Sequence, residues 1–145
     1  MADVIRIVAG PIDPMKLFDS VTTDADGAVT IFSGVARNES NGKPTDHLIY
    51  EAYTQMAETK MTEIAREAND RWSIDKLSIL HRIGRVDVGE ISVCIAVSSA
   101  HREESFAACK YAIDRLKEIV PIWKKEVGPN GQYWVEGPKK TAENP

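Results

Sequence analysis

The sequence predicts an α+β fold with a mostly antiparallel sheet and two main helices. Strand-like segments outnumber helical ones and do not alternate with them strictly, which disfavours a regular strand–helix–strand repeat. The 145 residues are 43% hydrophobic and 28% charged, which is typical of one soluble domain. We place this domain at residues 1–136 and expect the polar tail at residues 137–145 to be disordered.

The strands are predicted from short segments that alternate apolar and polar residues or are wholly apolar. They are expected at residues 4–8, 28–35, 47–53, 76–83, 91–98, 122–127 and 132–135. The continuous apolar run ISVCIAV in the fifth of these is typical of a central strand covered on both faces. Residues 38–45 (NESNGKPT) are expected to form an exposed loop, and residues 84–90 (GRVDVGE) a turn-rich connection.

Three helices are predicted from capping residues and apolar spacing. A short one begins at Pro14, is capped by Asp13 and runs to about Val21. A long one runs from Thr54 to about Trp72, and its apolar face consists of Ala57, Met61, Ile64, Ala65, Ala68 and Trp72. The last runs from about His101 to Ile119 before Pro121, and its apolar stripe is expected to consist of Phe106, Cys109, Ile113, Leu116 and Val120.

The last helix begins with two cationic residues in an unfavourable place. His101 and Arg102 fall in its first turn, where the helix dipole disfavours cations, although Ser98 and Ser99 offer capping groups. Either Arg102 pairs with a nearby carboxylate, or the helix N–H groups, guanidinium and imidazole together bind a phosphate or carboxylate.

Further cations are candidates for an anion site. Lys117 falls at the edge of the apolar stripe, where its ammonium would be partly desolvated, or would simply extend to water from a buried stem. Lys124 and Lys125 are adjacent in a strand and face opposite sides, so only one can share a pocket with Lys117. Arg37 lies where a strand meets the exposed loop, and it is equally consistent with a ligand-binding residue and with an ordinary surface residue.

Several classes of function are disfavoured. The net charge of −4 argues against nucleic-acid binding, and no apolar run approaches the roughly 18 residues that span a bilayer. The N-terminus lacks a signal peptide, and Cys94 and Cys109 are expected to be buried free thiols, so we expect a cytoplasmic protein. His47 and His81 lack ligand spacing and no nucleotide or metallohydrolase motif occurs, so we expect neither metal nor cofactor.

Five blocks carry a resemblance to a known family. They are FSGVARN (residues 32–38), YEAYTQMA (50–57), HRIGRVDVGE (81–90), VSSAHREESFAA (97–108) and DRLKEIVPIWKKE (114–126). In this order and spacing, over about residues 5–136, the sequence resembles the large, catalytic subunit of molybdopterin synthase.

The resemblance implies an α/β-hammerhead fold and a dimer of large subunits, each docking a small ubiquitin-like subunit that ends in a Gly-Gly thiocarboxylate. Two sulfur transfers would convert cyclic pyranopterin monophosphate into the dithiolene of molybdopterin. By motif, Lys117 and Lys124 are the catalytic lysines and also bind substrate, and the family favours Lys124 over Lys125. Arg37 matches a pocket arginine, and His101 and Arg102 match residues that reach the pocket from the neighbouring subunit.

Two other functions remain open from the residues alone. One is a non-catalytic module that binds a partner's C-terminal carboxylate in the same basic pocket. The other is a phosphate-ester hydrolase, which is disfavoured because neither metal ligands nor an activated nucleophile is evident.

Overall fold

Two four-stranded sheets and a small hairpin form the β structure of residues 3–138, the part of the chain that the computed structural model describes. In chain order the elements are β1 (Ile5–Val8), α1 (Pro14–Val21), β2 (Ala28–Val35), β3 (Glu39–Ser40), β4 (Lys43–Pro44), β5 (His47–Ala52), α2 (Thr54–Arg71), β6 (Lys76–Arg82), β7 (Gly84–Asp87), β8 (Ile91–Ser99), α3 (Arg102–Ile119), β9 (Ile122–Gly128) and β10 (Gly131–Glu136). The α+β class is confirmed.

The pairing is mostly antiparallel, as predicted. The first sheet has the order β1-β6-β8-β2, in which only the β1–β6 pair is parallel. The second sheet has the order β10-β9-β5-β7 and is wholly antiparallel. β3 and β4 pair with each other.

Strand β8 is the centre of the core, as its apolar run predicts. Its residues Val93, Ile95 and Val97 are buried in the cluster that includes the apolar faces of α2 and α3. The alternate residues Cys94 and Ala96 are buried with Leu17 and Val21 of α1 on the other face. Helices therefore cover both faces of the first sheet.

The predicted apolar face of α2 is confirmed, but that of α3 is partly wrong. In α3 the buried residues are Ser105, Ala108, Cys109, Ala112 and Leu116. Phe106 is 61% exposed. The buried stripe is made of small residues that allow α3 to approach the sheet closely. It is therefore rotated away from the larger apolar residues, and Lys117 lies roughly 120° from its centre.

Two further expectations are modified, and a third lies mostly outside the described residues. Residues 38–45 contain the β3–β4 hairpin, whose turn residues Asn41 and Gly42 have φ of 52° and 79°, as a two-residue hairpin turn requires. The segment expected to be only a turn-rich connection contains β7, which pairs with β5 and buries Val86 completely. Residues 139–145 of the predicted tail lie outside the described residues, and Gly137 and Pro138 have no regular secondary structure.

Candidate active site

A cavity of about 270 Å³ lies between the two sheets, near the C-terminal end of α3. Its wall combines the end of β2, the start of β8, the β3–β4 segment, the inner faces of β5 and β9, and Gly137 beyond β10. Gly34 lets the strands approach closely here, because a β-carbon at this position would meet a methyl group of Val93 at 2.7 Å. A β-bulge between Gly34 and Val35 follows at once and redirects the chain towards Arg37.

Three predicted cations line this cavity, each supplied by a different part of the chain. Arg37 follows the end of β2, Lys117 lies in the last turn of α3, and Lys124 lies in β9. Pro121 ends the helix and returns the chain as β9, which brings the two lysines to one cavity although they are seven residues apart. Such a concentration of positive charge suits an anionic ligand.

Strand alternation separates the two adjacent lysines as predicted. Lys124 lines the cavity together with Glu126, two residues further along β9. Lys125 points to the other face, where its ammonium lies 5.2 Å from the centre of the Trp134 ring. The structure therefore supports Lys124, and not Lys125, as the second lysine of the site.

Lys117 lines the cavity but is an exposed residue of this single chain. The predicted position of Lys117 at the edge of the buried stripe is wrong, because that stripe is rotated away from it. A cation in the last turn also stabilises the negative end of the helix dipole. A structural role for Lys117 and a role in the cavity are compatible.

His101 and Arg102 lie away from the cavity in the same chain. Ser99, just before them, pairs with Ala28 at the start of β2, whereas the cavity borders the other end of that strand. The length of β2 puts roughly 20 Å between the two ends. One chain therefore does not bring these two residues together with the three cations of the cavity.

The start of α3 differs in detail from the prediction. His101 is the N-cap residue but makes no capping hydrogen bond with its side chain, and Ser99 instead donates to its carbonyl at 2.5 Å. Glu103 and Glu104 occupy the first turn as expected. Within residues 3–138 no carboxylate forms an ion pair with Arg102, which leaves its local pairing unsupported.

Sequence reasoning missed several residues of the cavity wall. Glu126 is only 8% exposed, and its position two residues after Lys124 could have predicted that both face the same side. Tyr50 and His81 come from different sheets and meet edge to face, with ring centres 5.0 Å apart. Glu39 comes from the hairpin. No local pattern marked these last three residues.

The described residues offer neither a thiolate nor a cluster of metal ligands. Burial raises the pKa of the Cys109 thiol to about 11 and also raises that of Cys94. Both cysteines are buried free thiols, as predicted. Among residues 3–138 no group of three histidine, cysteine or acidic side chains could hold a metal ion. In the same part of the chain, none of the helices combines the length and the hydropathy of a membrane span.

The fold and the cavity together define an α+β protein with a pocket lined by three cations and two carboxylates, whose net positive charge suits an anionic ligand. A sequence profile of the family described as "MoaE protein" matches residues 7–119. The chain belongs to this family.

Named relatives agree with that assignment. The molybdopterin synthase catalytic subunit of Staphylococcus carnosus is 46% identical over 130 residues, which cover 90% of this chain and 87% of that protein. The crystal structure of molybdopterin synthase from Staphylococcus aureus superposes with a TM-score of 0.87 at 43% identity, covering 90% of this chain and 96% of that one. A complex of subunits 1 and 2 of the molybdopterin-converting factor from Helicobacter pylori shares the fold, with a TM-score of 0.77 at 21% identity over 97% and 98% of the two chains.

Proposed function

We propose that this chain is the catalytic subunit of a molybdopterin synthase. It transfers sulfur from the C-terminal thiocarboxylate of a small ubiquitin-like partner subunit to cyclic pyranopterin monophosphate, and so forms the dithiolene of molybdopterin. The observation that carries the proposal is the convergence of Arg37, Lys117 and Lys124 on one cavity in a member of this family.

The charges of the cavity suit both reactants. The substrate carries a phosphate, which Arg37 can bind through charge-assisted hydrogen bonds, and the thiocarboxylate is also an anion. Attack by the sulfur and ring opening develop negative charge on oxygen, which the ammonium of Lys117 stabilises or protonates. A transient covalent bond from Lys117 to the carbonyl of the partner's tail is the alternative role of this residue. Lys124 positions the substrate or the terminal glycine.

A second copy of the chain completes the site in this proposal. His101 and Arg102 are exposed and remote from the cavity of their own chain. They can therefore bind the phosphate of a substrate in a cavity only if that cavity belongs to a neighbouring subunit. The assembly is therefore a dimer of large subunits with one small subunit docked on each. We place this assembly in the cytoplasm, because two free buried thiols suit a reducing compartment.

The decisive experiment supplies the partner already loaded with sulfur. The purified chain, a partner ending in a Gly-Gly thiocarboxylate and cyclic pyranopterin monophosphate are mixed, and the products are analysed at successive times. An enzyme forms the dithiolene and releases the partner as a carboxylate. A module that only binds the partner's C-terminus would retain the partner and leave the pterin unchanged, and that outcome would refute the proposal.

A further inference from the structure

The turn at residues 87–90, between β7 and β8, holds the backbone directly before Arg37, although none of its four residues lines the cavity. We propose that Glu90 is a positioning residue, which fixes Arg37 for the phosphate of the substrate through this turn. This inference rests on the proposed function.

Both backbone groups of Ala36 are bound to the 87–90 turn. Its N–H donates to the carbonyl oxygen of Glu90 at 3.0 Å, and its own carbonyl oxygen accepts from the N–H of Gly89 at 2.9 Å. Ala36 is 4% exposed, so these two bonds are shielded from water. They follow directly on the end of β2 and orient the chain immediately before Arg37.

The carboxylate of Glu90 closes the same turn. Its Oε1 accepts from the backbone N–H of Asp87 at 2.9 Å, and the N–H of Glu90 donates to the carbonyl oxygen of Asp87, also at 2.9 Å. Gly89, at the third position of the turn, has φ of 89°, a conformation that favours glycine. Because Glu90 both closes the turn and binds Ala36 through its carbonyl oxygen, its side chain affects where Ala36 lies.

Arg82 of β6 anchors this carboxylate to the first sheet. Its Nη1 donates to Oε1 of Glu90 at 3.3 Å, and its side chain is only 13% exposed. Its Nε is buried without a hydrogen-bond partner in the part of the chain that the structure describes. The shielding of this guanidinium strengthens its attraction to the half-exposed Glu90. The 87–90 turn is therefore held from β6 as well as from its own backbone.

The side chain of Arg37 makes its backbone position important. Arg37 is exposed and forms no ion pair within residues 3–138. A displacement of Ala36 would therefore move every position that the flexible guanidinium can reach. Charge-assisted hydrogen bonds to a phosphate need donor–acceptor distances of about 2.7–2.9 Å, so even a small displacement weakens them.

Three variants separate the shape of the turn from its charge. Glu90→Ala removes the acceptor for Asp87 and Arg82, and we expect the KM for cyclic pyranopterin monophosphate to rise about 3- to 10-fold with kcat little changed. Glu90→Gln keeps a side-chain oxygen that can accept at the same place, so its KM should rise less. Asp87→Ala is the matched control, because it removes a carboxylate of the same turn that pairs with the exposed Arg85. Its KM should stay within about 2-fold of the unaltered value.

A double-mutant cycle tests whether the turn acts through Arg37. Arg37→Ala alone should raise the KM, because it removes a contact to the phosphate. In the Arg37→Ala background, Glu90→Ala should then raise the KM by less than about 2-fold, since the residue that it positions is gone. The same KM factor in both backgrounds would mean a general structural role and would refute the inference. Equal KM values for Glu90→Ala and the unaltered protein, or equal rises in Glu90→Ala and Asp87→Ala, would refute it as well.

Two glycine variants cover the case in which Glu90→Ala does not fold. Gly89 and Gly84 have φ of 89° and 87°, and a β-carbon at either position meets nothing within 4 Å. Alanine at the two positions therefore meets similar backbone strain, but Gly89 is the one that donates to Ala36. We expect Gly89→Ala to raise the KM more than Gly84→Ala, and this difference to vanish in the Arg37→Ala background. Equal KM values for the two variants would refute the inference while leaving the proposed function intact. If the unaltered protein forms no molybdopterin, the proposed function fails and the inference fails with it.

Discussion

Lys124 and Lys125 have the same chemistry and adjacent positions, yet the structure gives them different surroundings. Lys124 lines the cavity with Glu126, whereas the ammonium of Lys125 lies over Trp134 on the opposite face of β9. Lys117 reaches the same cavity from the last turn of α3. Lys125 is therefore a matched control for both candidate catalytic lysines.

Substitution of these lysines should separate their roles. We expect Lys117→Ala to lower turnover by about 10²-fold or more, because it removes a group that acts on developing charge. Lys124→Ala should also impair turnover, with a larger share of the loss in KM, and Lys125→Ala should change little. The measurement is conversion of cyclic pyranopterin monophosphate with pre-formed thiocarboxylate partner. A near-normal rate in Lys117→Ala would show that Lys117 is not catalytic and only stabilises the C-terminal end of α3.

Glu67 links α2 to α3, and its contribution to the free energy of unfolding should depend on pH. Nε of Arg115 donates to its carboxylate at 3.0 Å, and the hydroxyl of Tyr111 donates to the same oxygen at 2.6 Å. The hydrogen bond from Arg115 is the main reason why the pKa of Glu67 is lowered. A carboxyl whose pKa is lower in the folded protein contributes stability above its unfolded pKa, and this contribution is lost as pH falls through the folded value.

Glu67→Gln should therefore lower the free energy of unfolding at neutral pH by about 1 kcal/mol, and by less at a pH below the ordinary range of a glutamate carboxyl. Urea unfolding at the two pH values measures this difference. Glu63→Gln on the same helix is the control, since its pair with Lys60 is longer, at 3.5 Å, and more exposed. An equal pH dependence in both variants would contradict the assignment of the shift to Arg115.

At the scale of elements, the β3–β4 hairpin depends on a close approach to β9. A β-carbon at Gly128 would collide with the carbonyl oxygen of Pro44, and the ammonium of Lys43 lies 4.4 Å from the centre of the Tyr133 ring. The same hairpin contributes Glu39 and Ser40 to the cavity wall. Its position should therefore affect substrate binding as well as stability.

Gly128→Ala should displace the hairpin, raise the KM for the pterin and lower the free energy of unfolding by about 1–3 kcal/mol. Gly10→Ala is the matched control, because a β-carbon there meets nothing within 4 Å. The control should change the unfolding free energy by less than about 0.5 kcal/mol. Steady-state kinetics and urea unfolding give both quantities, and two indistinguishable variants would refute the proposed contact.

The elements show what the sequence could predict and where it failed. The predictions for strand β8 and for the apolar face of α2 are confirmed. A long apolar run fits a strand that is covered on both faces, and six apolar residues at helical spacing fit only one face of a helix. The buried stripe of α3 differs from the prediction, since small residues such as Ala108 and Ala112 face the sheet whereas the large hydrophobic Phe106 is exposed. How closely two elements approach is a tertiary property that spacing alone does not contain.

The site was predictable to a different degree for each residue. Strand alternation placed Lys124 and Lys125 on opposite faces, but which face holds the cavity depends on how the two sheets pack. The place of His81 in the cavity wall could not be predicted, because it depends on how the two sheets pack and on a contact with Tyr50 from the other sheet. The place of His101 and Arg102 in a shared site is implied by the family resemblance alone and stays a prediction.

For the whole molecule, the family resemblance gives His101 and Arg102 a role in the site, and their separation from the cavity of their own chain then predicts self-association. An isolated chain of 16.1 kDa should sediment near twice that mass, and about four chains should appear when the small partner is added. Sedimentation velocity at micromolar concentration provides the measurement. A strictly monomeric species, with or without partner, would contradict a site shared between two copies.

A shared site also predicts complementation between two defective chains. Arg102→Ala removes a residue that a chain lends to its neighbour, whereas Lys117→Ala removes one that it keeps. When the two variants are unfolded, mixed in equal amounts and refolded, half of the dimers should be mixed, and each should contain one intact site. Activity at low substrate should then recover to about one quarter of the unaltered level. Each variant refolded alone is the control, and activity no greater than their average would show that one chain supplies both residues.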